Sequence, residues 1–130
     1  MSELIRPSLA EAELGAGKDF VIAEWCAEPS ANPVAPLHVH LKDDEAWYVL
    51  EGSLGFSFDG EEFEVAPGGA ALAKAGVVHT YWNAADITTR YLIITTPKIR
   101  DLIAVLHDAQ RRQGRTMAEL FADYDSRLSE

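Results

Sequence analysis

The chain has 130 residues, 48% of them hydrophobic, and a formal net charge of −10; that is enough for one domain with its own core and too apolar for a disordered chain. No apolar run approaches the length of a membrane span, and an acidic chain without a basic stripe is not expected to bind nucleic acid. The opening MSELIRPSLAEAEL is charged and lacks the apolar stretch of a secretory leader, and the lone Cys26 cannot form an internal disulfide; both favour a cytoplasmic setting.

From residue 18 to 96 the chain alternates short apolar runs with turn residues. KDFVIAEWCAE comes first, then the Pro-rich PSANPVAP, then LHVHL, EAWYVLEG, SLGFSFDG, EEFEVAPGG, AALAKAG, VVHTYWNA and TTRYLIITTP. FDGEEF reads as a hairpin with an Asp-Gly turn. No segment before Pro97 holds a helical period over about ten residues, and many short strands with Gly and Pro punctuation predict a sandwich or small barrel.

The period changes after Pro97. Ile99, Leu102, Ile103, Leu106 and Ala109 fall on one helical stripe. Gly114 is placed to end that helix. Thr116 and Glu119 have capping-box spacing and open a second helix with Met117, Leu120, Phe121, Tyr124 and Leu128 on its apolar face. The tail, 98–130, is thus expected to be a hairpin of two amphipathic helices docked on the strands as part of one domain spanning 1–130. With six basic and six acidic residues it is neutral, so the charge excess lies in residues 1–97.

The chemistry concentrates between residues 36 and 83. On a strand, His38 and His40 point the same way, roughly 6.6–6.8 Å apart along the chain. Glu45, Trp47 and Val49 share a face of the next strand, and His79 shares one with Tyr81. Three imidazoles and a carboxylate suit one divalent transition metal: iron, manganese, nickel, copper or zinc. Phe56 and Phe58 alternate with Gly55 and Ser57 and are read as facing inward, as core or pocket wall. Asp43 and Asp44 are expected to be solvated loop acids. His107 has no partner at ligand spacing, Cys26 is read as a small buried hydrophobe, and Glu24 is not expected to reach the pocket.

This spacing resembles the cupin superfamily. Its first motif is Gly, five residues, His-x-His, three or four residues, Glu, six residues, Gly; here His38, His40, Glu45 and Gly52 match. Its second is Gly, five residues, Pro-x-Gly, two residues, His, three residues, Asn; here Gly68, Gly76, His79 and Asn83 match. Asn32 replaces the opening glycine and Lys74 the proline, and neither change removes a ligand. The resemblance implies an all-β jelly-roll barrel, a double-stranded β-helix over about 18–96, and a metal held by His38, His40, Glu45 and His79. It is nearest to the small single-domain, quercetin-dioxygenase-like cupins.

The activity this implies is that of a metal-dependent enzyme acting on a small apolar or aromatic molecule with chelating oxygens, an oxidoreductase of the dioxygenase kind. Glu45 would serve as fourth ligand or base, Tyr81 as a donor to substrate, and Trp47, Val49, Phe56 and Phe58 as pocket wall. The alternatives are a metal-assisted isomerase or cyclase without redox chemistry and a non-catalytic small-ligand binding protein. A homodimer is expected, built through sheet faces or exchanged N-terminal strands. The motifs are complete before Pro97, so the tail is not expected to be needed for the metal site.

Overall fold

The computed structural model describes residues 12–129. Residues 1–11, which carry most of the opening segment read as lacking a leader and any exchanged strand before Ala12, lie outside the described residues. The strands are β1 (Ala12–Ala16), β2 (Val21–Ala27), β3 (His38–His40), β4 (Glu45–Glu51), β5 (Leu54–Phe58), β6 (Glu61–Val65), β7 (Ala70–Ala73), β8 (His79–Asn83), β9 (Thr89–Thr95) and β10 (Ser126–Leu128). The helices are α1 (Pro97–Leu106), α2 (Ala109–Arg112) and α3 (Met117–Asp123).

Two antiparallel five-stranded sheets form the expected jelly roll. One has the order β1-β2-β9-β4-β7 and the other β10-β3-β8-β5-β6. Period-2 alternation sorts their side chains. On β4 Glu45, Trp47 and Val49 are buried, and on β9 Thr89, Tyr91, Ile93 and Thr95 are. Of these, Trp47, Val49, Tyr91 and Ile93 meet Leu54, Phe56 and Tyr81 of the other sheet in one core. Each large apolar side chain fully buried there stabilises the fold by about 1.5–3 kcal/mol.

Local chemistry sets the turns. Asp59 and Gly60 both have positive φ, 50° and 87°, as a two-residue hairpin loop of the mirror-image type requires, and β5 pairs with β6 across it. Gly55 faces Trp82 across the β5–β8 pair, and a Cβ there would overlap the indole. A glycine is needed at that position for close approach, not for its φ.

The tail departs from a hairpin of two helices. Thr96 caps α1, accepting from the Ile99 N–H, with Pro97 in the first turn. The helix stops at Leu106, however. Asp108 takes the Gln110 and Arg111 N–H groups on its side chain and starts the separate short α2, because an aspartate competes with the helical backbone for its own hydrogen bonds. The Thr116–Glu119 capping box opens α3 as expected. That helix ends at Asp123, and Asp125 turns the chain with φ 52°. Ser126–Leu128 then form a strand, so Leu128 is not on a helical face. β10 pairs with β3 in the register Ser126↔His40, Arg127↔Val39, Leu128↔His38. The open ladder edge of β3 is what draws it in. The Leu41 N–H to Asp125 O and Ser129 N–H to Leu37 O bonds, 2.8 and 2.9 Å, extend the pairing at both ends.

Candidate metal centre

β3 lies between β10 and β8, so all of its residues are buried. Directly paired residues share a face, and His38 pairs with His79; their ring centroids are 4.3 Å apart. His40 follows two residues along, 4.8 Å from His38 and 5.2 Å from His79. Glu45 enters from the other sheet as the first inward residue of β4. Its Oε1 lies 3.1 Å from His40 Nε2 and 3.3 Å from His79 Nε2.

The ring orientation is fixed from behind. His38 Nδ1 lies 2.6 Å from Pro36 O, and His79 Nδ1 lies 3.0 Å from Val77 O. A carbonyl only accepts, so each Nδ1 carries the proton and each Nε2 keeps its lone pair. His40 Nδ1 has a different partner, Ser126 Oγ at 2.7 Å.

The four donor atoms lie within 4.8 Å of one another and all four residues are buried. Two donors about 2.1 Å from one ion, at ordinary coordination angles, stand about 3.0–3.4 Å apart, which the Glu45 spacings match. Nitrogen donors with one carboxylate suit a divalent transition metal. The donor set therefore fits one such ion.

Burial first, and then the like charge of His79, push His38 down from 6.5 to about 4. Burial pushes Glu45 up, but the His40 and His79 imidazoles at its Oε1 outweigh it and hold the carboxyl at about 2. Burial and then the neighbouring Tyr91 push the Tyr81 phenol well above its ordinary value. A pH dependence follows for protein stripped of metal with a chelator. Unfolded His38 takes a proton near its ordinary pKa, whereas folded His38 resists until about pH 4, so acid favours the unfolded chain. Stability should fall between about pH 6.5 and 4, by about 3 kcal/mol from this group. Glu45 adds a further loss of the same direction, because its stabilisation is present above its unfolded pKa and vanishes as pH falls toward 2. Urea melts across that range read the effect, and a flat profile would refute it.

A cavity of about 410 Å³ opens beside the centre, lined by His38, His40, Glu45 and Tyr81. Tyr81 OH lies 3.0 Å from Tyr91 OH, which lines the same cavity. Further walls include Trp25 and Ile93 of the first sheet, the Val34–Pro36 segment before β3 and, from the tail, Leu102, Leu106, Met117 and Phe121. Phe121 also packs edge-on against His38 at 5.3 Å. Trp47, Val49, Phe56 and Phe58 are not among the lining residues. Trp47, Val49 and Phe56 are fully buried in the core, with Phe58 packed against it. Trp47 supports His79 from that side at 5.6 Å.

The other candidates are placed as follows. Asp43 is not solvated: it is buried beside Lys98 of α1, at 3.6 Å. Asp44 is exposed and accepts the Ala75 N–H at 2.8 Å. Neither joins the ligand cluster. Glu24 is fully buried and held by Arg90 at 3.0 Å. Cys26 is half-buried in the cavity wall, and exposed His107 lies against Trp25 at the same cavity. The residues that sequence reasoning missed are Ser126, the cavity residues Trp25, Tyr91 and Ile93 of the first sheet, and the α1 and α3 wall. The apolar stripes of the tail indicated that it docks, without indicating where.

The model of the cupin domain matches residues 24–95. No curated protein matches the chain. Among solved structures, the chain is similar to TT1209 from Thermus thermophilus, with 28% identity, 68% of this chain and 82% of that one covered, and a TM-score of 0.59. The polyketide cyclase RemF from Streptomyces resistomycificus is 29% identical, with 65% of this chain and 61% of that one covered and a TM-score of 0.56. A sugar phosphate isomerase from Silicibacter pomeroyi DSS-3 is 30% identical, with 60% and 50% covered and a TM-score of 0.54. The chain thus spans half of that isomerase and about three fifths of the cyclase.

Proposed function

Because the chain belongs to the cupin family, we propose that it is a metal-dependent enzyme acting on a small apolar or aromatic molecule with chelating oxygens. The observation that carries this reading is the distribution of polarity in the cavity. His38, His40 and Glu45 gather at one end, the rest is largely aromatic and aliphatic apart from Cys26 and His107 in the wall, and no Lys or Arg lines it among the described residues. A phosphorylated sugar would lack a cationic partner there. A flat apolar ligand with two adjacent oxygens suits both ends.

In this reading His38, His40 and His79 hold the metal, with Glu45 as fourth ligand or as base toward a substrate hydroxyl. When bound, the ion supplies Lewis acidity toward the chelating oxygens. Tyr81, with its hydroxyl against Tyr91, offers an O–H to the substrate. Trp25, Leu102 and Phe121 hold the ring and exclude water. Oxygenation is the first reading. Cyclisation or isomerisation without redox chemistry is the second, favoured by the likeness to the polyketide cyclase.

Elemental analysis identifies the metal. Oxygen-electrode assays with an aromatic ortho-hydroxy ketone then separate the readings. Oxygen uptake with loss of substrate is the expected result. Turnover without uptake selects cyclisation or isomerisation, and saturable binding without turnover selects a binding protein. We also propose a homodimer through the outer face of the first sheet. Ile22, Ile94, Ala46 and Leu72 lie in one paired row across it, and Leu72 and Tyr48 are exposed. Light scattering that returned the 14.3 kDa of one chain would overturn this.

No helix among the described residues is long and apolar enough to cross a membrane.

A further inference from the structure

We propose that Ser126 is a positioning residue for His40, so that the strand formed by the tail completes the metal centre. The hydroxyl has one hydrogen and two polar neighbours. Tyr124 O, at 3.0 Å, is a carbonyl and takes that hydrogen. A lone pair on Ser126 Oγ then faces His40 Nδ1 at 2.7 Å, so Nδ1–H is the donor and Nε2 points to Glu45 and His79.

His38 and His79 find this support two residues upstream, in the segments that lead into their own strands. His40 takes it from a residue 86 positions away. Ser126 and His40 are both only 4% exposed, so water does not readily replace the hydroxyl. Without it the His40 N–H would be buried and unpaired, and the ring would be free to turn off the shared centre.

Two sets of contacts hold Ser126 in register. Backbone pairing places it opposite His40. Beside it, Asp125 pairs with Lys98 at 2.7 Å and lies 4.0 Å from Lys42, which ties the strand to α1 and to the loop after β3. Lys98 also reaches buried Asp43 at 3.6 Å.

The inference rests on His40 being a metal ligand and not on which reaction is catalysed. Zinc affinity is measured by competition with a chromophoric chelator for the wild type, Ser126→Ala, and the control Arg127→Ala on the exposed side of the same strand. Ser126→Ala should weaken zinc binding about 10–100-fold, while Arg127→Ala stays within twofold of wild type. Equal affinities for wild type and Ser126→Ala would overturn the inference but leave the centre standing. A wild type that binds no zinc would overturn both. A second measurement needs no variant. In zinc-loaded wild type labelled with 15N at histidine, His40 should show a slowly exchanging Nδ1–H with zinc on Nε2. Zinc on Nδ1, or an Nδ1–H exchanging at the rate of an exposed imidazole, would overturn the inference even if Ser126→Ala does not fold.

Discussion

A chain ended at Thr96 should retain less than a hundredth of the wild-type metal affinity and should aggregate. Such a truncation leaves all four ligands in the sequence and removes their support from three directions. β3 loses its only partner on one side, leaving a buried ladder edge open. His40 loses the hydroxyl behind Nδ1. The cavity loses the wall of Leu102, Leu106, Met117 and Phe121, so Trp25, Tyr91 and His38 face water. Placement of both motifs before Pro97 leads to the opposite expectation, that the ligands remain competent without the tail. Metal analysis and size-exclusion chromatography of the refolded truncation decide between them. A monodisperse, fully metal-loaded truncation would show that the strand after α3 is dispensable.

Replacing His38 and His40 together by alanine should abolish stoichiometric metal. The ion would be left with His79 and Glu45, two donors on neighbouring sheets, which cannot enclose it. The loss has a second readout in stability. A ligand bound only by the folded chain stabilises it by about 2.7 kcal/mol at a hundredfold excess over Kd. That zinc-dependent rise in melting temperature should be present in the wild type and absent in the double variant. The variant without metal should itself be weakened, because Glu45 keeps only the His79 imidazole beside it, at 3.3 Å, inside a buried site. Full occupancy in the double variant would sink the ligand assignment.

The clustering of His38, His40, Glu45 and His79 was legible because a shared donor set constrains sequence spacing tightly. Side chains two apart on one strand, and a carboxylate opening the next, cannot be shifted without turning a ligand to the wrong face. The same alternation shows that Trp47, Val49, Phe56 and Phe58 point inward. It does not give depth along the barrel, and depth is what separates a core residue from a cavity wall. The period of two is identical for Trp47, which fills the interior, and Tyr91, which lines the cavity. The break at Asp108 had a readable cause, an aspartate followed by AQRR, but it sits inside a continuous apolar stripe that suggests one helix. The strand Ser126–Leu128 had no local signal at all. Three residues set no period, and what makes them extended is the edge of β3, far away in sequence.

The separation between His40 and Ser126 also has a consequence for the order of events during biosynthesis. A ribosome adds about 5–20 residues per second, so the 86 residues between them take about 4–17 s to make. Once His79 has been added the nascent chain carries all four candidate ligands, and over the remaining 47 residues it still lacks the strand that steadies one of them. Loop closure over that span is slow relative to neighbouring hairpins. On the proposed ligand assignment, metal acquisition should follow synthesis of Ser126. Nascent chains stalled before Ser126 should release zinc to a chelator that leaves the finished protein loaded.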